Sequence, residues 1–495
     1  MGIVIRQSFW STVIAYVGVL VGYFNTLYFR PEFLELGEIG LFTLVTANAM
    51  LISPFCTAGM PGTFIKYFPD WADTRTRNQF FTFQVLVILG LNVLIILFGF
   101  IGKGWIAAYF SENSPEYVKY LGVTAVVIVV NSLFDMLFSV SRSQMGILVP
   151  SFLRDIFLRM GAIVLVAGLA FNWWSFEVAM LGIGVNYVLA MLILLGQLMH
   201  TANLRFSFDF SKIDKEWKRK IFDFGWYSML LALSFAVLTN VSYMQVAATL
   251  GDRSNGIFAT CFFIGLVVEM PSRNMMKILS PMFSKSMQAG DMEQVKRMYQ
   301  KGSITMSVFG ALLVIGILTN LSDLFAFIPQ GSGIAEGFWV VVAVCCAKMA
   351  LMLFGPSQEI LVYSPHYRVT LYFQIGSAIA LTLLNIVMIP TWGLTGAGLS
   401  YLAAILAHSL MKYVFVWKRF QVSPFTEKHL PLLLLSTIIF LVFWFAPFPF
   451  SPVINILVRS ALTTLIFVFA VWKMNISPEI NQLIRATFEK IRLLK

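Results

Sequence analysis

The chain has 495 residues, of which 58% are hydrophobic and only 12% are charged, and its mean hydropathy is +0.80. Soluble proteins carry about 25% charged residues, so this composition excludes an ordinary soluble protein. The formal net charge of +11 would suit nucleic-acid binding, but the positions of the basic residues account for it in another way.

Fourteen predominantly apolar stretches follow one another along the chain, and each is long enough to cross a bilayer. A transmembrane helix needs about 20 such residues. The stretches lie near residues 8–29, 40–64, 80–102, 119–140, 149–171, 176–199, 221–248, 256–279, 303–322, 336–362, 369–389, 394–417, 430–447 and 452–472. The sequence therefore predicts an all-α polytopic membrane protein of about 14 transmembrane helices.

The loops between these stretches alternate between rich and poor in Lys and Arg. With a cytoplasmic N-terminus, 28 of the 35 basic residues fall on cytoplasmic segments, and the outer loops hold only Arg30, Lys103, Lys119 and Arg253. Short basic loops resist translocation, so both termini are predicted to be cytoplasmic. Contact of the loop cations with anionic lipid then explains the charge, and no nucleic-acid partner is predicted.

A long basic connection after the sixth span divides the chain into two halves. The halves are similar where their second spans begin, since residues 40–42 are Gly-Leu-Phe and residues 256–258 are Gly-Ile-Phe, at an offset of 216. Pro54 and Pro271 interrupt the same two spans, and paired Pro or Gly interruptions in two halves are typical of transporter repeats.

Five segments follow from this division. They are an N-terminal six-helix lobe (1–200), a basic cytoplasmic linker (201–220), a C-terminal six-helix lobe (221–420), an additional transmembrane hairpin (421–475) and a cytoplasmic amphipathic tail (476–495).

Catalytic and metal-binding patterns are not found in the sequence. The outer loops are short and lack paired carboxylates or a His beside a nucleophile. The four cysteines, Cys56, Cys261, Cys345 and Cys346, lie in apolar spans without metal-ligand spacing. We therefore predict a protein that is not an enzyme, with no catalytic residues, no metal and no cofactor.

Charged residues within the spans are the candidate functional residues, because each costs about 2.5–3.5 kcal/mol at a helix centre. Lys348 is the most central, since apolar residues flank it on both sides. It is predicted to face a watery cavity or a carboxylate. Arg154, Asp155 and Arg159 lie in the fifth span, and Arg459 near the start of the last span is predicted to be structural.

A second group of charges lies in the fourth and eighth spans. Glu269, Arg273 and Lys277 recur every four residues and so share one helix face, while Asp135 lies in the fourth span. These positions favour a cationic interior that takes anionic cargo. The alternative remains open that the pairs neutralise each other within one helix and that the outermost cations reach the headgroups.

Three loose motifs, in this order, resemble those of the Wzx-type polysaccharide flippases in the multidrug/oligosaccharidyl-lipid/polysaccharide exporter superfamily. The first is an Arg and an acidic turn before a Gly and an aromatic residue, the second follows the eighth span, and the third opens the twelfth. Their residues are Arg30, Pro31, Glu32, Gly37, Gly40 and Phe42; Ser280, Pro281, Ser284, Gly290 and Asp291; and Gly393, Gly396, Ala397 and Gly398.

The resemblance implies two six-helix lobes arranged in a V, with the final hairpin typical of the fourteen-helix branch. It also implies a non-enzymatic flippase of the bacterial inner membrane that moves a polyprenyl-diphosphate-linked oligosaccharide, such as an O-antigen or exopolysaccharide unit, to the outer leaflet by alternating access. A lipid II flippase and a multidrug antiporter of the same fold are the alternatives. Membrane lipids are expected partners, with a polysaccharide polymerase and glycosyltransferases as candidates.

We select the candidate site residues by their predicted burial within the spans. The predicted substrate-binding cations are Arg154, Arg159, Arg273, Lys277 and Lys348. Candidates for coupling to an H+ or Na+ gradient are Asp135, Asp155 and Glu269.

Overall fold

The computed structural model describes residues 2–71 and 73–482, and this part of the chain is almost entirely helical and contains no strand. Eleven of its helical segments are long and apolar enough to cross a membrane. The prediction of an all-α membrane protein is thereby confirmed. The count of fourteen stays a prediction, because Arg368–Phe420 is one kinked segment, His429–Phe445 is shorter than a usual span, and a π-helical turn at Leu153–Phe157 interrupts the fifth predicted span.

The chain folds into two compact units that divide between Ala259 and Thr260. Ten main helices begin in the first unit, and the last of them continues into the second. They are α1 (Gly2–Tyr23), α2 (Leu36–Thr57), α3 (Met60–Tyr67), α4 (Thr74–Ile101), α5 (Lys103–Phe110), α6 (Leu121–Ser143), α7 (Leu158–Ala170), α8 (Phe176–Thr201), α9 (Lys215–Leu250) and α10 (Asp252–Leu266).

The second unit contains the remaining main helices. They are α11 (Met270–Gln288), α12 (Met292–Thr319), α13 (Leu321–Phe327), α14 (Phe338–Leu353), α15 (Ser357–Val362), α16 (Arg368–Phe420), α17 (His429–Phe445) and α18 (Pro452–Lys473). Short helical turns connect or extend the main helices of both units. They are Phe24–Phe29, Arg30–Phe33, Phe68–Asp70, Pro115–Tyr120, Leu148–Phe152, Leu153–Phe157, Val267–Glu269, Gly331–Ile334 and Ala335–Gly337. The predicted domain boundaries stay a prediction, and residues 483–495 of the predicted tail lie outside the described residues.

Local sequence explains where several helices begin or bend. The Glu35 carboxylate and the Glu38 carboxylate form a capping box at the start of α2, which satisfies backbone donors that have no helical partner. Asp73 caps α4 by accepting a hydrogen bond from the Thr76 amide at 2.8 Å. At Gly393 the backbone has φ 58° and ψ −136°, which is conformationally accessible to Gly, and α16 kinks there.

The predicted basic linker is packed onto the first unit. Asp209 accepts hydrogen bonds from Arg75 and Gln79 on α4, at 3.1 and 2.9 Å. Beside it, Trp217 at the start of α9 packs edge-to-face on Phe80, with ring centroids 5.1 Å apart, and Phe80 stacks on Trp71 at 4.2 Å. Residues 202–217 are thus an ordered part of the first unit.

Polar contacts join the terminal helices α17 and α18 to α12 and α13 in the second unit. Arg459 on α18 is only 8% exposed, and its guanidinium lies 2.6 Å from the Asp323 carboxylate. It also donates to the Thr319 carbonyl at 2.8 Å, while Asn455 donates to Asp323 at 2.9 Å. Near the opposite end of α18, Lys301 pairs with Glu479 at 2.9 Å.

Candidate functional site

Lys348 lies in the interior of the second unit, where α14 is surrounded by other helices. Its side chain is 7% exposed, and its Nζ lies 2.5 Å from Oε2 of Glu269. The other carboxylate oxygen of Glu269 lies 3.1 Å from Nε of Arg273, one turn along the chain. The Tyr401 ring stands 5.5 Å from the ammonium. One carboxylate thus holds two cations, which satisfies the expectation of a carboxylate near Lys348.

A second buried lysine, Lys412 on α16, lies in the same unit and is 7% exposed. No ion pair is found for it within the described residues. The second unit thus buries two lysines, Lys348 and Lys412, of which Glu269 pairs with the first.

His408 lies one helical turn before Lys412 and is also buried. Its Nδ1 is 3.1 Å from the Ser377 hydroxyl. This hydrogen bond joins the two parts of α16 on either side of the kink at Gly393, as expected for polar groups between membrane helices.

The predicted charges of the first unit form separate contacts. The Arg154 guanidinium pairs with the Asp135 carboxylate and lies 5.2 and 4.9 Å from the rings of Phe134 and Phe138. This pair joins two different helical segments, so it adds an interhelical contact that the sequence did not specify. The aromatic faces add cation–π attraction.

The remaining predicted residues lie in different surroundings. Arg159 donates a hydrogen bond to the backbone carbonyl of Gly18 on α1, and Asp155 belongs to the π-helical turn that packs on the same helix. Lys277 is exposed, and no ion pair is found for it within the described residues. The structure therefore groups Glu269, Arg273 and Lys348, and separately groups Asp135 with Arg154.

Two cations, the buried Lys412 and the half-buried Arg30, were not predicted to lie in the protein interior. Lys412 was counted with the cytoplasmic loop cations, although its spacing of four residues from His408 places both on one face of α16. Arg30 was counted as an outer-loop residue, whereas its guanidinium lies 4.6 Å from the Phe42 ring. Hydropathy alone does not distinguish these positions, because both lie at the ends of apolar spans.

The second unit places two cations, Lys348 and Arg273, on the one carboxylate of Glu269. An excess of cations lowers the free energy of bringing an anionic group into a medium of low dielectric constant. No group of three potential metal ligands from His, Cys, Asp and Glu occurs in the described part of the chain.

The fold defines the class as an all-helical membrane protein. The structure is similar to lipid II flippase MurJ in an inward closed conformation, with a TM-score of 0.73 and 13% identity over 95% of this chain and 100% of that one. It is also similar to an inward-facing multidrug resistance MATE family transporter of the MOP superfamily, with a TM-score of 0.64 and 12% identity over 82% and 94% of the two chains.

The sequence identifies the family. The family model described as "polysaccharide biosynthesis protein" matches residues 33–324, which is more than half of the chain, so the protein belongs to that family. Together with the fold, this match confirms the resemblance inferred from the motifs. No curated protein matches the sequence.

Proposed function

We propose that the protein is a flippase that moves a polyprenyl-diphosphate-linked oligosaccharide from the cytoplasmic to the outer leaflet of the bacterial inner membrane by alternating access. The observation that carries this proposal is the buried Lys348, which shares the Glu269 carboxylate with Arg273. A diphosphate is a suitable ligand because its negative charge would complement the excess cation. The family's role in polysaccharide biosynthesis supports the oligosaccharide.

An apolar cleft in the second unit supports a lipid-linked cargo. It has a volume of about 540 Å³ and lies between α12, α14 and α17, where its lining includes Ala311, Leu318, Met349, Leu433 and Phe440. Transfer of a prenyl chain from lipid into such a cleft gains free energy only from van der Waals contact, because lipid is equally apolar. The cleft would therefore orient the chain, while the cations bind the head group.

Coupling and partners complete the proposal. Glu269 is the carboxylate whose protonation would release Lys348, so it is the first candidate for coupling to an H+ or Na+ gradient; Asp135, paired with Arg154, and Asp155 are the others. Transport is non-enzymatic in this scheme, with both termini in the cytoplasm. Glycosyltransferases would supply the cargo, and a polymerase would consume it.

Mass spectrometry of lipid that copurifies with the protein tests the cargo. A polyprenyl diphosphate oligosaccharide is expected. Tight binding of organic cations in its place would favour a multidrug antiporter and would overturn the proposal.

A lipid II flippase is the second candidate. The similarity to MurJ extends over 95% of this chain. Copurification of a polyprenyl diphosphate carrying a peptide-linked disaccharide, with complementation of a strain that lacks its own lipid II flippase, would establish it.

Complementation of a strain that lacks its polysaccharide flippase tests the cation site. Lys348→Ala is expected to abolish polysaccharide export while the variant still inserts in the membrane. Lys296→Ala removes an exposed lysine of α12 and should leave export unchanged. Full activity of Lys348→Ala would remove Lys348 from the site.

A further inference from the structure

A second cleft of the second unit lies along α16, whose two parts are joined by the hydrogen bond between Ser377 and His408. The cleft has a volume of about 610 Å³, which is within the range of about 300–1,000 Å³ that ligand-binding clefts have. Its lining includes Phe373 from the first part of α16 and Leu410, Val414, Phe415, Lys418 and Arg419 from the second. We refer to it as the α16 cleft.

The α16 cleft has an apolar wall and a cationic end. Leu410 and Val414 are 46% and 39% exposed, and the Phe373 and Phe415 rings pack edge-to-face with their centroids 5.9 Å apart. The cationic end is formed by Lys418 and Arg419, which lie in the last turn of α16 and are exposed. A ligand with an apolar chain and an anionic group would complement both parts.

The length of the cleft corresponds to one leaflet of a bilayer. Leu410 and Arg419 are nine residues apart on one helix, which is about 14 Å at 1.5 Å per residue. One leaflet contributes about 15 Å to the hydrocarbon core of about 30 Å. An acyl chain that lies along Leu410 and Val414 would therefore have its phosphate beside Lys418 and Arg419.

His366 orients the Arg419 side chain at this end of the cleft. Nε of Arg419 donates to Nε2 of His366 at 3.0 Å, and the imidazole packs against the Phe415 and Phe420 rings, with centroids 5.8 and 6.2 Å away. Among the residues that the structure describes, no carboxylate pairs with Lys418 or Arg419. Both cations are thus available to bind an external anion.

We propose that the α16 cleft binds an anionic phospholipid of the leaflet that is predicted to be cytoplasmic. Lys418 and Arg419 bind the phosphate, and one acyl chain lies along Phe373, Leu410 and Val414. Basic pockets between membrane helices bind anionic head groups in this way. The site goes beyond the proposed transport, because the described lining offers no hydroxyl or amide side chain for the sugars of a lipid-linked oligosaccharide.

Native mass spectrometry of the delipidated full chain in detergent micelles measures this binding. Phosphatidylglycerol is expected to bind, and the double variant Lys418→Gln, Arg419→Gln should bind it about tenfold more weakly, because each basic residue at the membrane surface attracts anionic lipid. Lys218→Gln, Arg219→Gln is the matched control, since it removes an equally exposed Lys-Arg pair at the start of α9. This control should bind the lipid as the wild type does.

Two single variants separate the roles of the head group and the chain. His366→Phe keeps a ring beside Phe415 but removes the acceptor that orients Arg419, so it should weaken phosphatidylglycerol binding without lowering the melting temperature in phosphatidylcholine. Val414→Trp fills the cleft and should weaken binding although both cations remain. Glycerol 3-phosphate, which has the phosphate but no chain, should not displace the bound lipid.

Three results would overturn the proposal. The first is an equal affinity for phosphatidylglycerol in the double variant and its control. The second is displacement by glycerol 3-phosphate, which would show that a free phosphate is sufficient. The third is that the double variant loses copurified polyprenyl diphosphate and retains phosphatidylglycerol, because the cleft would then bind the cargo.

Discussion

Glu269 shows at the scale of single residues how a lysine can be kept inside an apolar bundle. Its carboxylate lies between Lys348 and Arg273, at 2.5 and 3.1 Å. Removing one partner of a buried pair leaves an uncompensated charge, which costs more than the pair itself contributes. The stability of this site therefore depends on the pair being complete.

A double-mutant cycle tests this dependence. Glu269→Gln and Lys348→Met are each expected to lower the free energy of unfolding by about 3 kcal/mol, and the double variant should lose less than the sum because no charge is left unpaired. Denaturation in detergent micelles measures the three values. The exposed pair of Arg297 and Glu293, at 3.3 Å, is the control, and its substitutions should be additive. Additivity at Glu269 and Lys348 would contradict their direct interaction.

At the scale of elements, α18 and the residues that follow it are attached, within the described part of the chain, by one buried ion pair and one exposed ion pair. The pair of Arg459 and Asp323 is 9% and 17% exposed, whereas that of Lys301 and Glu479 is 59% and 33% exposed. Water screens the second pair, so it contributes little. The buried pair should dominate the attachment of α18.

Thermal unfolding measures the difference between these pairs. Asp323→Asn is expected to destabilise the protein by about 3 kcal/mol, because Arg459 then stays buried without a counter-charge. Glu479→Gln should change stability by less than about 1 kcal/mol. Equal losses in the two variants would show that burial does not set the strength of the attachment.

The segment between α8 and α9 should respond to acid. The Ser211 backbone amide and hydroxyl, followed by Arg75, hold the pKa of Asp209 below its ordinary value. Because its pKa is lower in the folded state, ionised Asp209 stabilises the segment at pH values above the unfolded-state pKa of about 3.9. This contribution is lost as the pH falls through the folded-state pKa.

Hydrogen exchange of residues 202–214 measures this loss. Protection in the wild type should decrease relative to Asp209→Asn as the pH is lowered from the unfolded-state pKa of about 3.9 through the lower folded-state pKa. The variant lacks the carboxylate and should show no such additional loss. Parallel profiles in the two proteins would exclude Asp209 as the group that titrates.

At the scale of the whole molecule, the basic loops predict an orientation that labelling can measure. Lys103→Cys and Lys212→Cys occupy exposed positions on predicted opposite sides of the membrane. In a Cys346→Ala background, a membrane-impermeant maleimide should label the first in intact spheroplasts and the second only after permeabilisation, because basic segments stay in the cytoplasm. The reverse pattern would invert the topology and the proposed direction of transport.

Particular residues show how far the sequence predicts the site. Lys348 was identified because a lysine in the middle of an apolar helix cannot extend its ammonium to the headgroups. Glu269 and Arg273 were identified because residues separated by four positions share one face of a helix. Lys412 was assigned to a loop, since its burial depends on which helices pack beside the end of α16. The pairing of Arg154 with Asp135 likewise required two helical segments to be brought together.

The sequence by itself determined the all-helical membrane class and the family, because hydrophobic length and motif order are local properties of the chain. Tertiary structure alone decided that Glu269 pairs with Lys348, that Asp135 pairs with Arg154, and that the basic linker is packed on α4. These contacts join residues far apart in sequence, and their energies depend on interatomic distance and burial, which the order of residues does not specify.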